Sequence, residues 1–233
     1  MKSSDRMTKL AILFDLDGTL TDSKPGITKS IAYALEQMGV RGVKADSLGW
    51  CVGPPLIVSL AKILEAEDDK PEKALHLFKD YYSAGAMFDN RVFEGVLPLL
   101  DTLKNEGKRL FVVTAKPYCH AIPILEHFGL KTYFEGIVAP ERVGDSEEKA
   151  SLIAKAIEQH RLDPNACIFV GDRDCDIIGA NINNIKSIAV LYGYATKEEL
   201  INAKPTFFAE SPQQIATIIR KLEPKNKQNK EKQ

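Results

Sequence analysis

Leu10-Ala11-Ile12-Leu13-Phe14-Asp15-Leu16-Asp17-Gly18-Thr19-Leu20 is the stretch on which the reading of the fold turns. Its first five residues are apolar without alternation, which marks a strand buried on both faces, the kind that parallel sheets covered by helices contain. Two carboxylates at i and i+2 follow at once, with glycine directly behind them. As the chain turns out of the sheet, both acids can face one point beyond the strand. Like charges so close destabilise each other unless a cation or bound ligand offsets the repulsion. Taken alone, the pair is equally compatible with a turn whose carboxylates merely cap backbone N–H groups.

Working outward, comparable apolar runs recur at 110–113 (LFVV), 137–139 (IVA), 167–170 (CIFV) and 187–191 (SIAVL). Helical stripes separate the later runs. Val96, Leu99, Leu100 and Leu103 share one face, as do Ile153, Ala156 and Ile157. Ile122, Leu125 and Phe128 share another, provided that Pro123 lies in the first turn of its helix. The alternation predicts a Rossmann-like α/β core, a parallel sheet with helices on both faces.

Residues 21–87 break the alternation, since they carry helical stripes and no strand pattern: Ile27, Ile31, Ala34, Leu35 and Met38; then Leu56, Leu60, Ile63 and Leu64; then Leu75, Phe78 and Tyr82. An all-helical insertion placed directly after the first strand would sit over the carboxyl edge of the sheet, where open α/β folds bind ligands. The expected division is therefore an α/β core at 1–20 and 90–223 and a helical cap at 21–89. The lysine-rich residues 224–233 (PKNKQNKEKQ) have almost no apolar groups with which to recover their ordering entropy, and are expected to be a disordered tail.

Composition narrows the partners. Among 233 residues, 44% are apolar and 27% charged, and the formal net charge of -1 supplies no field to recruit nucleic acid or acidic lipid. A small-molecule partner follows. Cys51, Cys119, Cys167 and Cys175 form no C-x-x-C pair and suit reduced thiols; His76, His120, His127 and His160 match no metal-site spacing. No run approaches the roughly 18 apolar residues that span a bilayer. The polar start leads into a run too short for a secretion signal. The expectation is a cytoplasmic protein, monomer or small homo-oligomer, with no membrane or nucleic-acid partner.

Chemistry-bearing residues follow other strands as well. Thr114-Ala115-Lys116 comes after LFVV, and Gly171-Asp172-Arg173-Asp174-Cys175-Asp176 after CIFV. A few carboxylates with retained waters suit Mg²⁺ better than a Ca²⁺ cage. An acid pair, a hydroxyl and an acid cluster at one sheet edge supply the nucleophile, cation site and proton shuttle that phosphoryl transfer requires.

In that order, Asp15-Leu16-Asp17-Gly18-Thr19, Thr114, Lys149 and the Gly171–Asp176 segment resemble the four motifs of the haloacid dehalogenase superfamily, and the helical insertion is similar to the cap of its phosphoglycolate phosphatase-like members. Val52-Gly53-Pro54-Pro55-Leu56, Gly179-Ala180 and Tyr192-Gly193-Tyr194 extend the resemblance. It implies Asp15 as nucleophile, Asp17 as general acid and base, Thr114 and Lys149 as partners of the phosphoryl oxygens, and Mg²⁺ held by Asp15, the Asp17 carbonyl, Asp172 and Asp176. Lys155 is the alternative to Lys149, and Asp174 is left solvated. Gly18, Thr19, Ala115, Lys116, Gly53 and Arg91 complete the expected substrate-binding set, with Pro54 beside it. Two stretches depart from the family pattern, Val138-Ala139-Pro140-Glu141 and Asn183-Asn184.

The resemblance implies a phosphomonoesterase acting on a small phosphorylated metabolite, phosphoglycolate first, with nucleoside monophosphates and sugar phosphates as alternatives. Asp17 argues against dehalogenation, because halide needs no proton to leave whereas an alkoxide does. A sugar-phosphate mutase stays open. A phosphorylation receiver would need an open site, which the insertion would close off.

Overall fold

The computed structural model describes residues 9–52, 56–66, 68–142 and 147–222; Gly53, Pro54 and the tail at 224–233 lie outside them. Six parallel strands form one sheet: β1 (Ala11–Phe14), β2 (Arg109–Val113), β3 (Gly136–Val138), β4 (Cys167–Gly171), β5 (Lys186–Val190) and β6 (Phe207–Ala209). Their spatial order is β3-β2-β1-β4-β5-β6. The chain thus leaves β1 toward one side of the sheet and later returns to build the other, which puts the topological switch point between β1 and β4.

Period-two geometry sorts the strand side chains into two layers. Ile12, Phe14, Val112 and Val170 pack against α4 (Val96–Asn105), α5 (Tyr118–His127) and α9 (Pro212–Leu222). Leu13, Phe111, Val113 and Phe169 pack on the opposite face against α6 (Lys149–Gln159), and Ala180 of α7 (Asp174–Ile182) joins that layer. Helix α8 (Lys197–Ala203) adds a small cluster through Leu200 and Ala203. Strand limits differ from the sequence expectation by about one residue, as element ends commonly do. β6, a three-residue edge strand with only Ala209 fully buried, was not among the expected strands.

Two expectations need correction. Pro123 is in the interior of α5, beyond its first turn. The backbone donor it removes would have bonded the carbonyl of Cys119, an exposed residue that water can satisfy. The buried stripe of α5 is accordingly His120, Ala121, Ile124 and Leu125, while Ile122 and Phe128 are only half-buried. Asn183-Asn184 is compatible with its loop because Asn184 adopts φ 55°, a left-handed conformation that Asn tolerates better than most residues.

Among the described residues between β1 and α4, every regular element is helical: α1 (Lys24–Gln37), α2 (Leu56–Leu64), α3 (Lys70–Ser83) and the short 3-10 turns Ala45–Cys51 and Ala86–Phe88. These pack on a hydrophobic cluster of their own around Ile31, Leu35, Leu48, Leu60 and Ala74. The outgoing and returning chains are laced together. Asp22 N donates to Arg91 O (2.7 Å), Gly26 N to Asp89 O (2.8 Å) and Phe93 N to Leu20 O (3.1 Å). No helix among the described residues is long and apolar enough to cross a membrane.

Gly26 is hemmed in at this stem, where an added Cβ would strike the carbonyl of Ala86. Gly26→Ala is expected to lower stability by about 1–3 kcal/mol through overpacking against backbone. Chemical denaturation measures it, and an unchanged midpoint would refute the close approach.

Candidate active site

Asp15 is the first residue beyond β1, Thr114 the first beyond β2 and Asp172 the first beyond β4. These three strands are neighbours, so parallel pairing alone gathers their carboxyl-end residues. Lys149 reaches the same point from the first turn of α6, and Asp176 from the first turn of α7. A lysine at a helix N-terminus opposes the helix dipole, so its place there depends on the carboxylates it meets. Lys149 Nζ donates to Asp15 Oδ1 at 2.8 Å and lies 2.9 Å from Asp176 Oδ1. That second contact is an ion pair without hydrogen-bond geometry, and Asp176 Oδ1 has no donor among the described residues.

Asp15, Asp172 and Asp176 are all buried and bring one oxygen each within 4.8 Å of the others. The glycines around them make that burial possible. A Cβ at Gly18 or Gly193 would overlap the Asp172 side chain, and one at Gly171 would overlap that of Asp176. Burial, partly countered by Lys149, raises the Asp15 carboxyl to about 6, with Asp176 and Asp17 adding repulsion. Asp172 is pushed well above the ordinary range by burial and then by Asp176 and Asp15. Lys149 resists the burial that would discharge it and is held above its usual range by Asp15 and Asp176.

Asp17 and Lys116 form a second, half-buried pair, Nζ to Oδ2 at 2.6 Å. Lys116 also stands 5.1 Å over the ring of Tyr82 from α3, and Asp17 Oδ1 is buried without a donor. Thr114 Oγ1 accepts from Lys116 N at 3.2 Å, and Thr19 Oγ1 donates to Asp172 Oδ1 at 3.3 Å. His120 is drawn in by Ser83 at 2.8 Å, and burial and the Lys116 charge lower it to about 4, so it is neutral near pH 7. Cys175 is exposed overall, yet burial of its thiol and the Asp176 charge raise it to about 12, which disfavours the thiolate at neutral pH.

A cavity of about 300 Å³ opens above these groups. Asp15, Asp17, Thr114, Ala115, Lys116 and Lys149 line its floor, while Ile27, Val52, Leu56, Leu75 and Phe78 of the helical insertion form much of its wall. Arg91 does not line it and instead pairs with Asp22 at 2.9 Å. Asp174 is half-buried and accepts from Cys175 N at 2.8 Å, and Lys155 lies 3.9 Å from Glu147, away from the cluster. Lys79, Tyr82, His120 and Tyr194 line the cavity without having been singled out for it. Their signal was present for Tyr82, whose stripe was read only as insertion core.

Residues 12–190 match the family model described as haloacid dehalogenase-like hydrolase. The chain is 34% identical over 197 residues to a 5'-nucleotidase of Pseudomonas aeruginosa, covering 84% of this chain and 89% of that protein. It is 28% identical over 200 residues to a phosphoglycolate phosphatase of Colwellia psychrerythraea, covering 82% and 88%. A crystal structure of a predicted phosphatase from Clostridium acetobutylicum superposes with a TM-score of 0.84 at 39% identity, covering 92% of this chain and 99% of that one. The chain belongs to the haloacid dehalogenase-like hydrolases.

Proposed function

We propose that the protein is a Mg²⁺-dependent phosphomonoesterase that works through an aspartyl phosphate on Asp15. The observation that carries this reading is the buried cluster itself: three clustered carboxylates, two of them paired with one ammonium, carry a formal excess of two negative charges. Desolvation costs several kcal/mol per buried ion, so a divalent cation fits, and an all-oxygen donor set favours a hard one. Asp15, Asp172 and Asp176 would hold it, with the Asp17 carbonyl as a further donor. When bound, the ion neutralises phosphate oxygens as negative charge builds during transfer.

The protein's own groups divide the remaining work. An Asp15 oxygen attacks phosphorus as the ester P–O bond breaks, and Asp17, entering the cycle with a proton on Oδ1, the oxygen that Lys116 leaves free, gives that proton to the departing alkoxide. Asp17 then takes a proton from water as that water attacks phosphorus, which breaks the bond to Asp15 and frees phosphate. Lys149 orients Asp15, Thr114 donates to phosphoryl oxygens, and Lys116 fixes the position of Asp17. Residues 21–89 act as a cap, supported by their separate hydrophobic cluster, paired stem and share of the cavity wall.

The substrate is a small phosphorylated metabolite. Phosphoglycolate leads by resemblance, with the relative of that name and Lys79 at the cavity in support. A nucleoside monophosphate is the second reading, favoured by the apolar wall and by the 5'-nucleotidase relative. At about 300 Å³ the cavity is at the small end for organic ligands.

Asp15→Asn is expected to lower kcat by at least about 10³-fold on every phosphate ester of a panel, with folding intact. Substantial steady-state turnover by that variant would remove Asp15 as nucleophile. Because the cation must displace protons from carboxyls raised by burial, Mg²⁺ affinity is expected to rise with pH through about 6. Calorimetry near pH 6 in buffers of different ionisation enthalpy measures the protons released; binding without proton release would contradict the raised carboxyls.

A further inference from the structure

Tyr192-Gly193-Tyr194, just beyond β5, takes no part in the chemistry above, yet it touches both the acid cluster and the stem of the insertion. Tyr194 N donates to Asp172 Oδ2 at 2.8 Å. Gly193 lies so close that a Cβ would overlap the Asp172 side chain. Loop and carboxylate therefore cannot move independently.

The side chains reach the other way. The Tyr194 hydroxyl lies 3.2 Å from Asp22 Oδ1 and 3.4 Å from Ser23 Oγ on the outgoing linker, and 3.1 Å from Lys24 N, the first residue of α1. One O–H proton satisfies the Asp22 carboxylate while the oxygen accepts from Lys24 N. The second oxygen of Asp22 receives Nε and Nη2 of Arg91 on the returning linker, at 3.1 and 2.9 Å. Tyr192 completes the junction: its hydroxyl donates to Thr19 O at 3.0 Å, and its ring meets Phe93 edge-on with centroids 5.1 Å apart.

We propose that Tyr194 is a positioning residue that couples cation loading at Asp172 to the seating of the helical insertion over the cavity. The inference rests on reading Asp172 as a cation ligand, and adds to that reading a mechanical link through one backbone N–H and one hydroxyl. A cation that fixes Asp172 fixes the Tyr192–Tyr194 loop, and the loop holds Asp22 and, through it, Arg91. Coupling of this kind is reciprocal, so a seated insertion strengthens cation binding by the same factor.

The test is hydrogen exchange at the amides of Asp22 and Gly26, which bond across the stem to Arg91 O and Asp89 O. It is run with and without Mg²⁺, in the wild-type protein, in Tyr194→Phe and in Asp22→Asn, with Mg²⁺ binding followed in parallel by calorimetry. In the wild type, Mg²⁺ is expected to slow both amides by about 5-fold or more. In either variant Mg²⁺ still binds, but the slowing falls below about 2-fold. Equal slowing in wild type and Tyr194→Phe would overturn the proposal, as would bound Mg²⁺ with no slowing in the wild type. Failure of Mg²⁺ to bind the wild-type protein would overturn the cation reading, and this coupling with it.

Discussion

A buried lysine ammonium held between two carboxylates is the constraint around which this protein is built. Lys149 lies within 3 Å of both Asp15 and Asp176, and all three are buried. Charges removed from water are tolerated only when their partners are fixed in place. The fold fixes them with its most rigid parts: the end of β1 for Asp15, the first turn of α6 for Lys149 and the first turn of α7 for Asp176. Glycines at 18, 171 and 193 then let the backbone close around the acids, since a methyl group at any of the three would overlap a carboxylate side chain. The sheet is thus more than scaffolding, because its strand order decides which carboxylates become neighbours.

The cluster is incomplete by itself. Burial, with repulsion among the neighbouring acids, raises Asp15 and Asp172, and two buried carboxylate oxygens, Oδ1 of Asp17 and Oδ1 of Asp176, have no hydrogen-bond donor among the described residues. A site organised around missing positive charge is prepared for a ligand, with stability given up locally for function. The helical insertion supplies the other half of the arrangement. It meets the core through Tyr82, Ser83 and the stem, and it provides the apolar wall opposite the acids.

The sheet and the polar floor of the site were legible because each rests on local pattern. Unbroken apolar runs locate five of the six strands, and acids that directly follow such runs must emerge at one edge of a parallel sheet. Lys149 is different: nothing near it in sequence separates it from Lys155, and only motif order pointed to it. The structure separates the two by placing one at the helix start beside Asp15 and the other beside Glu147. Arg91 shows the converse, a charged residue near the insertion boundary whose ion pair with Asp22 depends on tertiary pairing of the linkers. β6 and the roles of Tyr194 and His120 were not legible for the same reason, since long-range contacts define them and local periodicity carries no trace of those contacts.

The central claim is a covalent one, that phosphate passes through Asp15. The most direct measurement is mass spectrometry of the protein quenched in acid during turnover of a phosphate ester with Mg²⁺, followed by peptide mapping. The account predicts one added phosphoryl group on the peptide containing Asp15, absent when substrate is omitted. Turnover with no phosphoryl adduct, or an adduct on another residue, would contradict it.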